Sequence, residues 1–118
     1  MALAQYQELA VAFASALVDG DFARAREMLG PPLSESTSAA DLREHFERMY
    51  RSYAEDDRPN RVWFDAQFSG EEWPAKRSGD VGWAYVAVQG DECVEAVTVT
   101  VAQSAGRVFI REVEWGRP

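Results

Sequence analysis

Three runs near the C-terminus decide the fold: Val81-Gly82-Trp83-Ala84-Tyr85-Val86-Ala87-Val88-Gln89, Cys93-Val94-Glu95-Ala96-Val97-Thr98-Val99-Thr100-Val101-Ala102 and Arg107-Val108-Phe109-Ile110-Arg111-Glu112-Val113-Glu114-Trp115. β-Branched and aromatic residues dominate all three, because their side chains suit a pleated surface. The breaks between them, Gly90-Asp91-Glu92 and Gln103-Ser104-Ala105-Gly106, are short and polar. Breaks of that length make hairpins, so the three strands are expected to be antiparallel neighbours. Everything upstream must then cover the sheet they form.

One strand precedes them. Residues 61–68 alternate, with Val62, Phe64, Ala66 and Phe68 on one face and Trp63, Asp65 and Gln67 on the other. Residues 69–80 read as a long loop. Trp73 within it needs a partner surface, as the lid of a pocket or as a plug for the core.

The N-terminal half reads as helices. Leu3, Tyr6, Ala10, Phe13 and Leu17 recur at spacings of three and four, which predicts a helix over 2–18. Asp19-Gly20-Asp21 ends it and caps a short helix over 22–29 that buries Phe22, Ala25 and Leu29. Gly30-Pro31-Pro32 stops that helix, and 33–37 reads as a loop. A third helix runs from Ser38 to Tyr53, with Asp41 completing a shortened capping box. Its apolar stripe is Leu42, Phe46, Met49, Tyr50 and Tyr53. The expected fold is therefore α+β: three N-terminal helices packed on one face of a curved antiparallel sheet of four strands.

Composition bounds the function. A chain of 118 residues is one domain, covering 1–118, and is long enough to bury a core. The net charge of −8 disfavours nucleic acid and anionic membranes, whose phosphates need clustered Lys and Arg. No apolar run approaches the roughly 18 residues of a membrane span. Met1 to Glu8 lacks a basic region followed by an apolar one, so no signal peptide is read and a cytoplasmic location is the expectation. The single Cys93, inside a strand run, reads as a small structural residue. No cofactor is expected, since no glycine-rich phosphate loop occurs, and one His with one Cys makes no metal site.

Both faces of the closing strands carry apolar groups. Val108 and Ile110 fall on one side of the last strand, and Phe109, Val113 and Trp115 on the other. The helices cover one sheet face only, so the reading predicts a homodimer packed through the outer face.

The order of long helix, Gly-Asp break, short helix, capped third helix and curved sheet resembles the nuclear-transport-factor-two-like superfamily, also called the cystatin-like cone fold. The residues that carry the resemblance are Leu17-Val18-Asp19-Gly20-Asp21-Phe22, the helix from Ser38 to Tyr53, and Gly106-Arg107-Val108-Phe109-Ile110-Arg111. It implies a conical pocket between helices and sheet, and dimerisation through the sheet. It does not select a function, because the superfamily holds isomerases, dehydratases, polyketide cyclases, transport adaptors and immunity proteins. Its enzymes usually carry a His–Asp or Tyr–Asp pair in the pocket, and no residues here match that pair one by one.

Three residues are candidates for acid–base work. His45, the only histidine, sits at the edge of the third helix stripe. Asp65 and Glu112 are strand carboxylates whose pKa would rise if they faced a dry pocket. Arg111 is expected on the face opposite Glu112, either binding an anion or pairing with an acid of the sheet. Tyr50, Tyr53, Trp83 and Tyr85, with Tyr6, are the aromatics suited to line a cavity, each also suited to plain core. The expectation is a non-catalytic binding domain, holding a small apolar ligand in the cone or a protein partner of immunity or accessory type. The alternative is a small cofactor-free isomerase, dehydratase or cyclase using a pocket carboxylate or His45 as base. A third reading is an interaction domain whose own side chains fill the cone.

Overall fold

The computed structural model describes residues 3–51 and 57–116. Within them the order is α1 (Gln5–Val18), α2 (Phe22–Glu27), α3 (Leu33–Ser36), α4 (Ala39–Arg51), β1 (Arg61–Gly70), β2 (Asp80–Gln89), β3 (Val94–Ser104) and β4 (Arg107–Trp115). The strands form one antiparallel sheet in the order β1-β2-β3-β4. The helices pack on one of its faces, α1 lying across all four strands. This is the α+β arrangement that the alternating runs predict.

Local chemistry explains the helix ends. α1 starts at Gln5 rather than Ala2, where the Gln7 side chain accepts from the Ala4 N–H at 2.8 Å. Asp21 caps α2 by accepting from the Arg24 N–H at 3.2 Å. At α4 the Ser38 hydroxyl accepts from the Asp41 N–H at 3.1 Å, and the Asp41 carboxylate accepts from the Ser38 N–H at 2.9 Å. That reciprocal pair satisfies two backbone donors that a helix start leaves orphaned. The Ser38 bonds, first the backbone one, hold the Asp41 carboxyl below its ordinary value.

Two segments differ from the sequence reading. α2 ends at Glu27, and Leu29 instead forms a parallel bridge with Ile110. The Ile110 N–H donates to the Met28 carbonyl and the Gly30 N–H to the Ile110 carbonyl, each at 2.9 Å. Residues 28–30 thereby cover part of the edge of β4, which would otherwise expose unpaired backbone groups. The predicted loop 33–37 contains the single helical turn α3.

The helix-facing side of the sheet carries Val62, Phe64, Val86, Val88, Val97, Val99, Val101 and Ile110, which pack with Phe13, Leu17, Leu42 and Phe46 in one cluster. Phe13, Leu17, Leu42, Phe46, Val86, Val99 and Ile110 are each less than 2 % exposed. Gly82 sits under the Tyr6 ring, where a Cβ would lie 2.4 Å from a ring carbon. Only glycine lets α1 approach β2 this closely.

Irregularities in register redistribute the faces. Between Thr100 and Val101 the pairing of β3 with β4 slips, so that Thr100 opposes Glu112 while Val101 opposes Ile110. Arg111 is the extra residue of a β-bulge. Beyond it, Val113 opposes Val99 and Trp115 opposes Val97, placing both on the helix side with Ile110. Strict alternation along Arg107–Trp115 puts Val113 and Trp115 on the opposite face from Ile110 instead. A second slip, between Asp65 and Gly70, breaks the alternation of β1. Phe68 therefore leaves the Val62–Phe64 face and meets Tyr85, which lies on the outer side with Trp63 and Asp65, at a ring separation of 5.6 Å.

The hairpins close as expected. Ser104 pairs with Arg107, leaving Ala105 and Gly106 as a two-residue turn with φ of 54° and 79°. Positive φ at both positions gives the twist that adjacent strands require. Cys93 lies in the other turn rather than inside a strand, and is buried. There the Asp57 carboxylate accepts from the Asp91 N–H at 2.7 Å, the Glu92 N–H at 2.9 Å and the Cys93 N–H. Burial works against the charged carboxylate, but these three donors outweigh it and hold its pKa below the ordinary value.

Candidate functional site

A pocket of about 530 Å³ opens on the outer face of the sheet, away from the helices. Its lining includes Trp83, Thr98 and Thr100 from β2 and β3, Arg111, Glu112 and Glu114 from β4, and Trp73, Pro74 and Arg77 from the loop 71–79. The pairing explains the placement. Trp83 opposes Thr100, which opposes Glu112, and Thr98 opposes Glu114. These residues form rows across the pleat on the side opposite Val99 and Val113.

An ion pair anchors the loop to this face. Arg111 Nε donates to Asp80 Oδ1 and a terminal Arg111 nitrogen to Asp80 Oδ2, both at 2.8 Å. The Asp80 side chain is wholly buried and that of Arg111 is 13 % exposed. Asp80 is in register with Ala102, and Ala102 with Phe109, so the guanidinium reaches across β3 over a side chain of one methyl group. The Arg77 N–H completes the cradle at 2.8 Å. Burial opposes the charge on Asp80, but the Arg111 bonds, the Arg77 N–H and the two nearby guanidinium charges hold its pKa below the usual 3.8. The same pairing raises Arg111.

The rest of the loop is also tied down. Lys76 Nζ donates to the Glu71 carbonyl at 2.8 Å and the Glu72 carboxylate at 2.9 Å, and lies 5.7 Å from the Trp73 ring centroid. The Gln103 N–H donates to the Gly79 carbonyl at 2.8 Å. A loop held at both ends presents Trp73 to the pocket without ordering it on binding.

The residues singled out from the sequence divide between the two faces. Trp83, Arg111 and Glu112 line the outer pocket. Tyr85 shares that face and packs on Phe68. Tyr50 is on the helix side, buried, with its ring 5.5 Å from that of Phe46. Tyr6 is buried over Gly82. Tyr53 lies outside the described residues. His45 is exposed at the helix side, where its ring stacks on Trp115 at 5.3 Å and 8°. Asp65 is half-buried on β1 and accepts from the Gln67 N–H at 2.9 Å.

Asp65 and Glu112 stand on opposite edge strands, about 14 Å apart by three interstrand spacings. His45 is on the other side of the sheet from both. The three candidate acids and bases are therefore not brought together. Arg111 and Glu112 were expected on opposite faces; the bulge turns both to the outer side, with Arg111 Nη1 3.7 Å from Glu112 Oε2.

Sequence reasoning passed over Asp80, Arg77, Thr98, Thr100 and Glu114. The alternation of Thr98 and Thr100 with Val97, Val99 and Val101 was the available signal: hydroxyls on one face, hydrocarbon on the other. Asp80 carried none, because its partner is 31 residues away. Among the described residues no cluster of His, Cys, Asp and Glu is suited to hold a metal ion. Comparison with protein-family models, with curated proteins and with solved structures finds no match in any of the three.

Proposed function

We propose that this chain is a non-catalytic binding domain that holds a small, largely apolar ligand on the outer face of its sheet. The observation that carries this is the pocket built from Trp73, Trp83, Thr98 and Thr100, with its loop wall held beside the buried Asp80–Arg111 pair. Its volume of about 530 Å³ suits a ligand of drug size, and aromatic walls with a few fixed polar groups are what such ligands bury against. On the helix side of the sheet, where the superfamily resemblance would put a ligand, Phe13, Phe46 and Ile110 are each less than 2 % exposed.

The test is a thermal-shift screen of the intact chain against apolar small molecules. At a concentration near 100 times Kd, a ligand of the native state adds about 2.7 kcal/mol of stability. Amide shifts for the best stabiliser are expected at Thr98, Thr100 and Trp83, and the Trp83→Ala variant should lose the response. Shifts centred on Phe46 and Tyr50 would move the site into the cone, and no stabiliser at all would remove the reading.

A second reading, the homodimer, has its own observation. Trp63 and Phe68 are 45 % and 52 % exposed, and both lie toward β1, on the half of the outer face away from the pocket. A second copy seated there leaves the pocket open. Light scattering at micromolar concentration should give twice the chain mass, and Trp63→Ser with Phe68→Ser should restore the monomer. A monomeric wild type removes the dimer and leaves the pocket untouched.

A further inference from the structure

We infer that the outer-face pocket is selective for a small organic cation: an ammonium group attached to a flat apolar body. The inference rests on the binding reading above and specifies what is bound.

The walls supply the first half of the argument. Trp73 and Trp83 both line the pocket, and indole faces attract cations through the negative potential of the ring. The molecule already uses Trp73 this way, with Lys76 Nζ 5.7 Å from its ring centroid. Threonines in the lining, Thr98 and Thr100, add hydroxyl groups that accept hydrogen bonds from an ammonium.

Charge supplies the second half. Two arginines line the pocket, Arg77 and Arg111, together with two glutamates, Glu112 and Glu114. Arg111 is neutralised by the fully buried Asp80, which grips it through two nitrogens, and its remaining nitrogen lies 3.7 Å from Glu112. Arg77 also lies within the field of Asp80. The charges in the lining balance, Lys76 beside Trp73 is matched by Glu72, and the buried Asp80 behind Arg111 leaves the site one charge negative. Glu112 and Glu114 are two residues apart on an edge strand and are both exposed, so they form a carboxylate rim along one side of an aromatic pocket. The net charge of −8 draws cations toward it from solution. Two indoles in the lining, Trp73 and Trp83, offer flat apolar surface, and a flat apolar body on the ligand is what packs against it.

Three probes of one shape and different charge test this: phenethylamine, phenethyl alcohol and 3-phenylpropionate, titrated into the intact chain and followed by tryptophan fluorescence and amide shifts. The amine is expected to saturate with shifts at Thr98 and Thr100, and to bind about tenfold more tightly than the alcohol. The propionate is expected to be weaker still. Glu112→Gln with Glu114→Gln should erase most of the amine's advantage over the alcohol, and the propionate should gain relative to both; an undiminished amine advantage would show that the rim carboxylates do not read the cation. N-acetyl-lysine amide, the peptide form of the same charge, should bind more weakly than phenethylamine. Tighter binding of the propionate would show that Arg77 and Arg111 read an anion; it would overturn the cation inference and leave the pocket standing. Equal affinities for amine and alcohol would do the same. Failure of all three probes to saturate would overturn the cation inference, while the separate ligand screen decides whether the pocket binds anything.

Discussion

The two faces of the same four strands are built on different terms. The helix side is hydrocarbon: Val86, Val97, Val99, Val101 and Ile110 meet Phe13 and Phe46 and admit almost no solvent. The outer side is amphipathic: Trp83, Thr98, Thr100, Glu112 and Glu114 share it with a buried ion pair. Packing stabilises the first face, and it tolerates little change because interiors are as dense as organic crystals. The second has room for a ligand because the helices leave it uncovered. On the proposed reading, stability and recognition fall on opposite sides of one sheet, separated by a single residue of alternation.

Substitutions can break this division, and the largest effect belongs to the helix side. Phe13→Ala should cost about 4 kcal/mol, as large-to-small changes in a closed core do, read as a lower urea midpoint with a nearly constant slope. A loss under about 1 kcal/mol would mean that this face is less tightly packed than the burial indicates.

Next is the anchor of the outer face. Asp80→Ala strands the Arg111 guanidinium, and removing one partner of a buried pair costs about 3 kcal/mol. Replacing both, Asp80→Ala with Arg111→Met, should recover much of that loss. The double variant should also loosen the loop 71–79, visible as faster amide exchange at Gln103, whose N–H holds Gly79. Unchanged exchange would show that the pair does not anchor the loop.

Acid should act through Asp80 and through Asp57 at the β2–β3 turn. Asp57 and Asp80 have folded pKa values below the ordinary carboxyl value of 3.8. The stability they contribute is present above that value and is lost as pH falls through the lower folded values. Unfolding followed from pH 6 to pH 2 should therefore steepen below about pH 4. Asp57→Asn and Asp80→Asn should each flatten the profile. A profile identical in the variants would show that neither carboxylate is held as its bonds indicate.

The smallest effect sharpens the comparison most. Phe68→Ser, on the exposed half of the outer face, should change monomer stability by no more than about 0.5 kcal/mol. It should still lower the tendency to associate. A large loss of stability would place Phe68 in the core after all.

The antiparallel pairing of β2 with β3 and of β3 with β4, and the Ser38–Asp41 cap, were legible because they depend on contacts a few residues apart. Hairpin breaks at Gly90-Asp91-Glu92 and Ala105-Gly106 join neighbours, and Val97, Val99 and Val101 of β3 alternate without interruption. Trp83, Arg111 and Glu112 were picked out as residues of interest, but their convergence was not visible. Strict alternation assigned Val113 to the wrong side, and it missed that Trp115 packs against the helix-side cluster while bordering the outer pocket, because nothing in Arg107–Trp115 announces the bulge. Glu114 and Thr100 consequently went unnoticed as neighbours of Glu112.

By itself, then, the order of residues determined the main helices and strands and the two hairpins of the closing strands, since propensity, capping and short turns are local forces. Tertiary structure alone decided which face each side chain of β1 and β4 occupies and that Asp80 meets Arg111. Those outcomes depend on one-residue slips between neighbouring strands, and a slip is settled by the packing of the whole sheet rather than by any segment of it.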